Sequence, residues 1–174
     1  MDRELYQPRI IDASVEKYLK TFGAVCIEGP KWCGKTWTSA YHSKSEYYLA
    51  DPRGNFKNRN LAQIDPSLVL DGDSPRLLDE WQEVPALWDA VRFAVDSSKE
   101  KGRFILTGSA TPHHKGILHS GAGRIARLRM RPMSLFEAGK SSGKVSLKDL
   151  CNGILKTQLT GEVALTDLIG YIVR

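Results

Sequence analysis

Residues 29–36 read Gly29-Pro30-Lys31-Trp32-Cys33-Gly34-Lys35-Thr36, two glycines followed at once by a cation and a hydroxyl. This spacing suits a polyphosphate. The glycines let the backbone turn tightly and approach an anion with no Cβ in the way. The amides of residues 31–36 can then point at the anion, reinforced by the positive end of a following helix. Lys35 offers a mobile cation to the β- and γ-phosphates, and Thr36 offers a hydroxyl to Mg2+. The expected cradle is therefore Gly29, Pro30, Lys31, Trp32, Cys33, Gly34, Lys35 and Thr36, with Trp37 beside it, and the expected ligands are ATP and Mg2+. Cys33 reads as a small passive residue of the loop, and Trp32 as loop packing rather than a platform for a base.

A cradle alone does not separate kinases from hydrolases. Leu77-Leu78-Asp79-Glu80 supplies a strand ending in two acids. Asp79 is expected in the Mg2+ shell, and Glu80 is expected to orient and polarise the attacking water, since positioning is most of what phosphoryl transfer requires. Phe104-Ile105-Leu106-Thr107-Gly108-Ser109 is a second strand of the right kind, and Thr107 or Ser109 at its tip can touch the γ-phosphate or the water. A small-molecule kinase is the weaker reading, because the second acid suits water activation and no acceptor pocket can be picked out. His113, His114 and His119 lack a carboxylate or cysteine at ligand spacing, so they read as loop residues rather than a metal site.

These residues need a scaffold that brings several strand ends together. Ile11, Val15, Leu19 and Phe22 fall on one face of a predicted helix over 11–22. Ala24–Ile27 is a short buried-strand candidate, and Thr36–His42 reads as the helix after the loop. Tyr47–Ala50 reads as a second strand, Arg76–Asp79 as a third, Phe104–Thr107 as a fourth and Ile125–Met130 as a fifth. Residues 53–73 read as polar loop, with a short helix around Asn60–Ile64. Pro85 suits the first turn of a helix that turns Leu87, Trp88, Val91 and Val95 inward. Strands alternating with helices imply right-handed crossovers and a parallel sheet. Lys140–Gly143 reads as a linker, with two short helical pieces at Val145–Ile154 and Val163–Val173. The expected division is a core over 1–139 and a linker with an incomplete helical segment over 140–174.

With 174 residues there is room for one domain and little more. No stretch approaches the roughly 20 apolar residues of a membrane span, so no membrane partner is expected. Three scattered cysteines argue against a disulfide framework and favour a reducing interior, with the cytoplasm as the expected location. Charge is uneven. Residues 1–100 carry 13 Lys/Arg against 16 Asp/Glu, and residues 101–174 carry 12 against 4. Arg127, Arg129 and Arg131 alternate with Leu128 and Met130, giving an edge-type strand with one cationic face. That face can track a nucleic-acid backbone, be covered by another domain, or discourage edge pairing.

Taken in order, the motifs resemble the AAA-type predicted ATPases of bacteria and archaea, whose P-loop core is followed by a further domain of unknown function. The likeness is carried by Ile27–Thr36, by Leu78-Asp79-Glu80-Trp81-Gln82-Glu83-Val84-Pro85, by Phe104–Ala110, and by His119–Arg124 continuing to Met133–Glu137. It implies an α/β, three-layer αβα P-loop NTPase core with a five-stranded parallel sheet in the order 5-1-4-3-2. It also implies that Arg124 stands where such ATPases carry an arginine finger acting on a neighbouring subunit's ATP. The alternative, an arginine that fixes the fifth strand by hydrogen bonding, stays open. Tyr6-Gln7-Pro8-Arg9-Ile10 lies where such folds wrap the adenine. Members of the family run on through a helical lid and a second domain. Here Ile172-Val173-Arg174 ends the sequence inside an apolar segment, so the expectation is a chain truncated after the core, whose partner is a homo-oligomer, a missing C-terminal domain or another protein. Two rival functions remain at this point: a nucleotide-binding scaffold with little hydrolysis, and a nucleic-acid-binding regulator using the basic C-terminal third.

Overall fold

The computed structural model describes residues 3–109, 120–154 and 164–172. Helix α1 (Asp12–Thr21) precedes β1 (Ala24–Gly29), which feeds α2 (Lys35–His42). Then follow β2 (Ser45–Tyr48), α3 (Arg53–Ile64), β3 (Arg76–Asp79), α4 (Ala86–Ser98), β4 (Phe104–Ser109) and β5 (Ile125–Arg129). All five strands are parallel, in the order β2-β3-β4-β1-β5. This is the expected order 5-1-4-3-2, and it places β1, β3 and β4 side by side in the middle of the sheet.

The strands alternate their side chains between two apolar layers, as a sheet covered on both faces must. On one face Val25, Ile27, Leu77 and Ile105 pack with Val15 of α1, Ala40 of α2 and Met130. On the other, Ala24, Cys26, Leu78, Phe104, Leu106 and Ile125 pack with Ala62 of α3 and with Leu87, Trp88, Val91 and Val95 of α4. The inward stripe expected of the helix after Pro85 is thus the one observed. Trp88 stacks at a tilt on Trp81, ring centroids 4.9 Å apart, and both rings are fully buried.

Two local expectations shift. The second strand lies at Ser45–Tyr48 rather than Tyr47–Ala50, because its register is set by β3, with Ser45 opposite Arg76 and Tyr48 opposite Asp79. Leu49 then turns into the core. The polar stretch after Asp51 is more helical than its composition suggests. α3 runs from Arg53 and contains a left-handed turn at Gly54, Asn55 and Phe56 (φ 61°, 54° and 57°). Such a turn gives no apolar period to read, and it is unusual for a ring as large as phenylalanine's.

The chain divides into two compact units, Met1–Pro132 and Met133–Arg174. Within the second, Ser134 and Glu137 cap each other's turn, with Ser134 N donating to Glu137 Oε2 at 2.7 Å and Glu137 N to Ser134 Oγ at 3.2 Å. Two short helices follow, α5 (Leu147–Cys151), capped by Ser146, and α6 (Leu165–Ile172). Among the described residues no helix is long and apolar enough to cross a membrane.

Candidate nucleotide site

Residues 30–34 join the C-terminal end of β1 to the first turn of α2. The glycines here answer to sterics. A Cβ on Gly29 would lie 2.5 Å from the carbonyl oxygen of Met130 and 2.9 Å from Cys33 Sγ. Gly34 is left-handed at φ 96° and stands at the N-cap of α2. Trp32 is left-handed as well (φ 69°), and its side chain is wholly exposed, so it is not loop packing. Cys33 is the residue that packs, buried beneath the turn. Lys35 is only 7% exposed, and its Nζ donates to the carbonyls of Gly29 (3.1 Å) and Pro30 (3.0 Å). The ammonium therefore already sits within the loop, on weak neutral acceptors that an anion would better.

The tips of α2, β3 and β4 converge on one carboxylate. Asp79 Oδ1 accepts the hydroxyl protons of Thr36 (2.9 Å) and Thr107 (2.7 Å), and Thr107 Oγ1 in turn accepts from the backbone N–H of Glu80 (2.9 Å). Burial raises the Asp79 carboxyl above the ordinary carboxylate range. The two hydroxyl donors pull it back, the Glu80 charge adds to the rise, and the Lys35 charge opposes it. Glu80 itself is left-handed (φ 58°, ψ 47°), a conformation that is costly for a residue with a side chain and is often stored at functional sites. It opens the 3-10 turn Trp81–Glu83, and the Gln82 side-chain amide donates to its carboxylate. Gly108 makes room for that turn, since a Cβ there would meet Trp81 Nε1 at 2.8 Å and Gln82 Oε1 at 3.1 Å. Ser109 stands opposite Gly29 in the β1–β4 register.

The segment ahead of α1 packs along α2. Tyr6 stacks on Tyr41 (4.1 Å, 18°), and its hydroxyl donates to Asp12 Oδ1 at 2.7 Å and meets Thr38 Oγ1 at 3.1 Å. Burial pushes the Tyr6 phenol up. Asp12 also takes the Arg9 N–H (2.7 Å) and pairs with His42 Nε2 (3.1 Å). Arg9, 8% exposed as a residue, donates from its guanidinium to the carbonyls of Cys33 and Arg131.

Lys35, Thr36, Asp79, Glu80 and Thr107 are thus brought together, as the sequence predicts. Arg124 is not among them. Its carbonyl accepts from Ala24 N at 3.1 Å, at the start of β1 and β5, the opposite end of the parallel sheet from the loop. Its side chain, half exposed, donates from Nε to Asp96 Oδ1 at 2.7 Å. In the cationic stripe of the edge strand β5, Arg127 lies over the Trp88 ring (4.8 Å) and 3.6 Å from Glu28, so its charge is partly engaged. His113, His114 and His119 lie outside the described residues. From the sequence, Arg9 is placed only within the Tyr6–Ile10 segment expected at the adenine, and Asp12 and Gln82 receive no role. The first and last act on backbone or on a neighbour two residues away, and neither carries a spacing that marks it.

Residues 21–139 match the family model described as "AAA domain". Two uncharacterized proteins, one of Mycobacterium bovis and one of Mycobacterium tuberculosis, are each 30% identical to this chain over 144 residues. That stretch covers 79% of this chain and 32% of each mycobacterial protein, so the chain spans about a third of the length of these relatives.

Proposed function

The chain belongs to the AAA domain family and is a P-loop, ATPase-like nucleotide-binding domain; on that premise we propose that it binds ATP with Mg2+ at the Gly29–Thr36 loop and hydrolyses it, coupled to a partner protein or to further copies of itself. The observation that carries this reading is the Asp79 carboxylate held between the hydroxyls of Thr36 and Thr107 beside the Lys35 loop. Hard oxygen donors of this kind fit Mg2+, which keeps several waters and takes one or two protein oxygens beside the nucleotide phosphates. Thr36 and Asp79 would hold the ion, whose chemistry is to neutralise charge on the β- and γ-phosphate oxygens.

The remaining work falls to the chain's own groups. Lys35 leaves the Gly29 and Pro30 carbonyls for the phosphates. Glu80 orients a water against the γ-phosphorus. As the water oxygen bonds to that phosphorus, the bond to the β–γ bridging oxygen breaks, and ADP and phosphate leave with the water's proton released. Thr107 fixes the Glu80 backbone at the tip of β4, where its hydroxyl can feel the γ-phosphate. Arg124 lies at the far end of the sheet from its own loop, so this reading gives it a role only toward another copy's ATP. Titration with ATP, with and without Mg2+, followed by phosphate release from the wild-type chain and from Glu80→Gln, tests the whole scheme. Binding without any release by the wild type would leave a nucleotide-binding scaffold in its place.

A further inference from the structure

We propose that Arg9 is a positioning residue for polyphosphate: it fixes the Gly29–Thr36 loop in its anion-ready form from outside the turn. The inference rests on the reading that this loop takes nucleotide phosphates. Arg9 lies ahead of α1, and its guanidinium bonds two carbonyls far from it in sequence. Nη1 donates to the Cys33 carbonyl at 2.8 Å, and Nη2 donates to the Arg131 carbonyl at 2.9 Å, just past β5. A trans peptide directs its C=O and the next N–H to opposite sides. Holding the Cys33 carbonyl toward Arg9 therefore turns the Gly34 N–H away from Arg9, to the side a phosphate would occupy.

Gly34 serves the same contact. A Cβ there would approach Arg9 Nη1 to 3.1 Å, and its φ of 96° suits glycine alone. The guanidinium is a rigid planar fork, so anchoring one arm on Arg131 immobilises the other on the loop. Its buried positive charge, close to the N-terminus of α2, also adds to the potential that draws an anion. An arginine that only filled space would affect stability and leave phosphate recognition untouched.

Calorimetric titration of the whole chain with ATP and, separately, with inorganic tripolyphosphate distinguishes these roles. The proteins are wild type, Arg9→Lys, Arg9→Ala and Lys35→Ala, each checked by thermal melting. Lysine keeps the charge but lacks the rigid planar fork that sets separate N–H donors on the Cys33 and Arg131 carbonyls. Arg9→Lys should fold and lose about tenfold in affinity for ATP and tripolyphosphate alike, as expected for one charge-assisted contact. Amide exchange at Gly34 in the nucleotide-free protein should quicken, and added guanidinium ion should restore part of the tripolyphosphate affinity of Arg9→Ala. Wild-type affinity in Arg9→Lys, or an Arg9→Lys chain that cannot fold, would overturn the proposal. If wild type takes up no ATP, or Lys35→Ala binds it unchanged, the nucleotide reading itself fails and the Arg9 proposal falls with it.

Discussion

The hydroxyl of Thr36 donates to Asp79 Oδ1 across 2.9 Å, tying the first turn of α2 to the tip of β3 although 43 residues separate them. Thr107 closes the arrangement from β4 at 2.7 Å. Two hydroxyls on one carboxylate oxygen orient that carboxylate but do not fully compensate its burial, which is why its proton is held more tightly than usual.

That imbalance fixes the sign of a pH effect. Asp79 has a folded-state pKa raised above its unfolded value, chiefly by burial. The folded state therefore binds this proton more tightly, and stability falls as pH climbs from the ordinary carboxylate range through the raised value. The penalty is complete above it. Asp79→Asn removes the charge while its amide oxygen still accepts from Thr36 and Thr107. In the absence of nucleotide, Asp79→Asn should melt higher than wild type at pH 7, with the gap closing below roughly pH 4. It should also lose Mg2+-dependent ATP binding. A lower melting temperature at pH 7 would show that the carboxylate carries no such penalty.

Lys35→Ala should weaken ATP binding about 100-fold, the scale of removing a charge-assisted contact to a desolvated phosphate. Fluorescent-nucleotide titration reads this directly. The loop itself should persist despite losing the Lys35 bonds to the Gly29 and Pro30 carbonyls, since Arg9 still holds the Cys33 carbonyl and Met130 N the Glu28 carbonyl at the end of β1.

What could be read from sequence was local chemistry. β1, the loop and α2 follow one another without interruption, so their motif predicted their geometry, and the β3 acids were legible for the same reason. The sheet order 5-1-4-3-2 came through resemblance, and the pairing confirms it. Two kinds of feature were not legible. One is backbone handedness, as at Gly54–Phe56 and Glu80, where non-glycine residues adopt positive φ under tertiary constraint. The other is a side chain whose partners are carbonyls, such as Arg9, 24 residues from Cys33 and 122 from Arg131. Carbonyls are present at every position and leave no pattern.

Glu80→Gln should keep ATP affinity within about twofold and lower phosphate release by 100-fold or more, since it removes a water-orienting charge and no phosphate contact. The left-handed backbone at Glu80 is held by Thr107 through its N–H, so the glutamine side chain should occupy the same place. Steady phosphate release at the wild-type rate would take Glu80 out of the mechanism.

Trp88→Ala tests the scaffold apart from the site. The ring is fully buried, stacked on Trp81 and capped by the Arg127 guanidinium. Truncation should cost about 3–5 kcal/mol, a large part of the stability of a domain this size. The urea midpoint should fall accordingly, and a shift under about 1 kcal/mol would mean that the site collapses around the missing ring.

Arg124 separates a catalytic assembly from a solitary domain. Its guanidinium is already held by Asp96 at 2.7 Å, in a half-exposed pair that adds little to stability, so Arg124→Ala should fold normally. It flanks the start of β1 and β5 while the loop follows the strands' other ends, so it lies away from its own nucleotide loop. If it is a finger in trans, Arg124→Ala should bind ATP as the wild type does and release phosphate about 1,000-fold more slowly. Mixing Arg124→Ala with Glu80→Gln copies should then restore part of the rate, since one copy supplies an intact Glu80 beside the other's Arg124. Undiminished turnover in Arg124→Ala alone, or no recovery on mixing in a preparation that sizes as an oligomer with nucleotide, would reduce the residue to a fixture between α4 and β5.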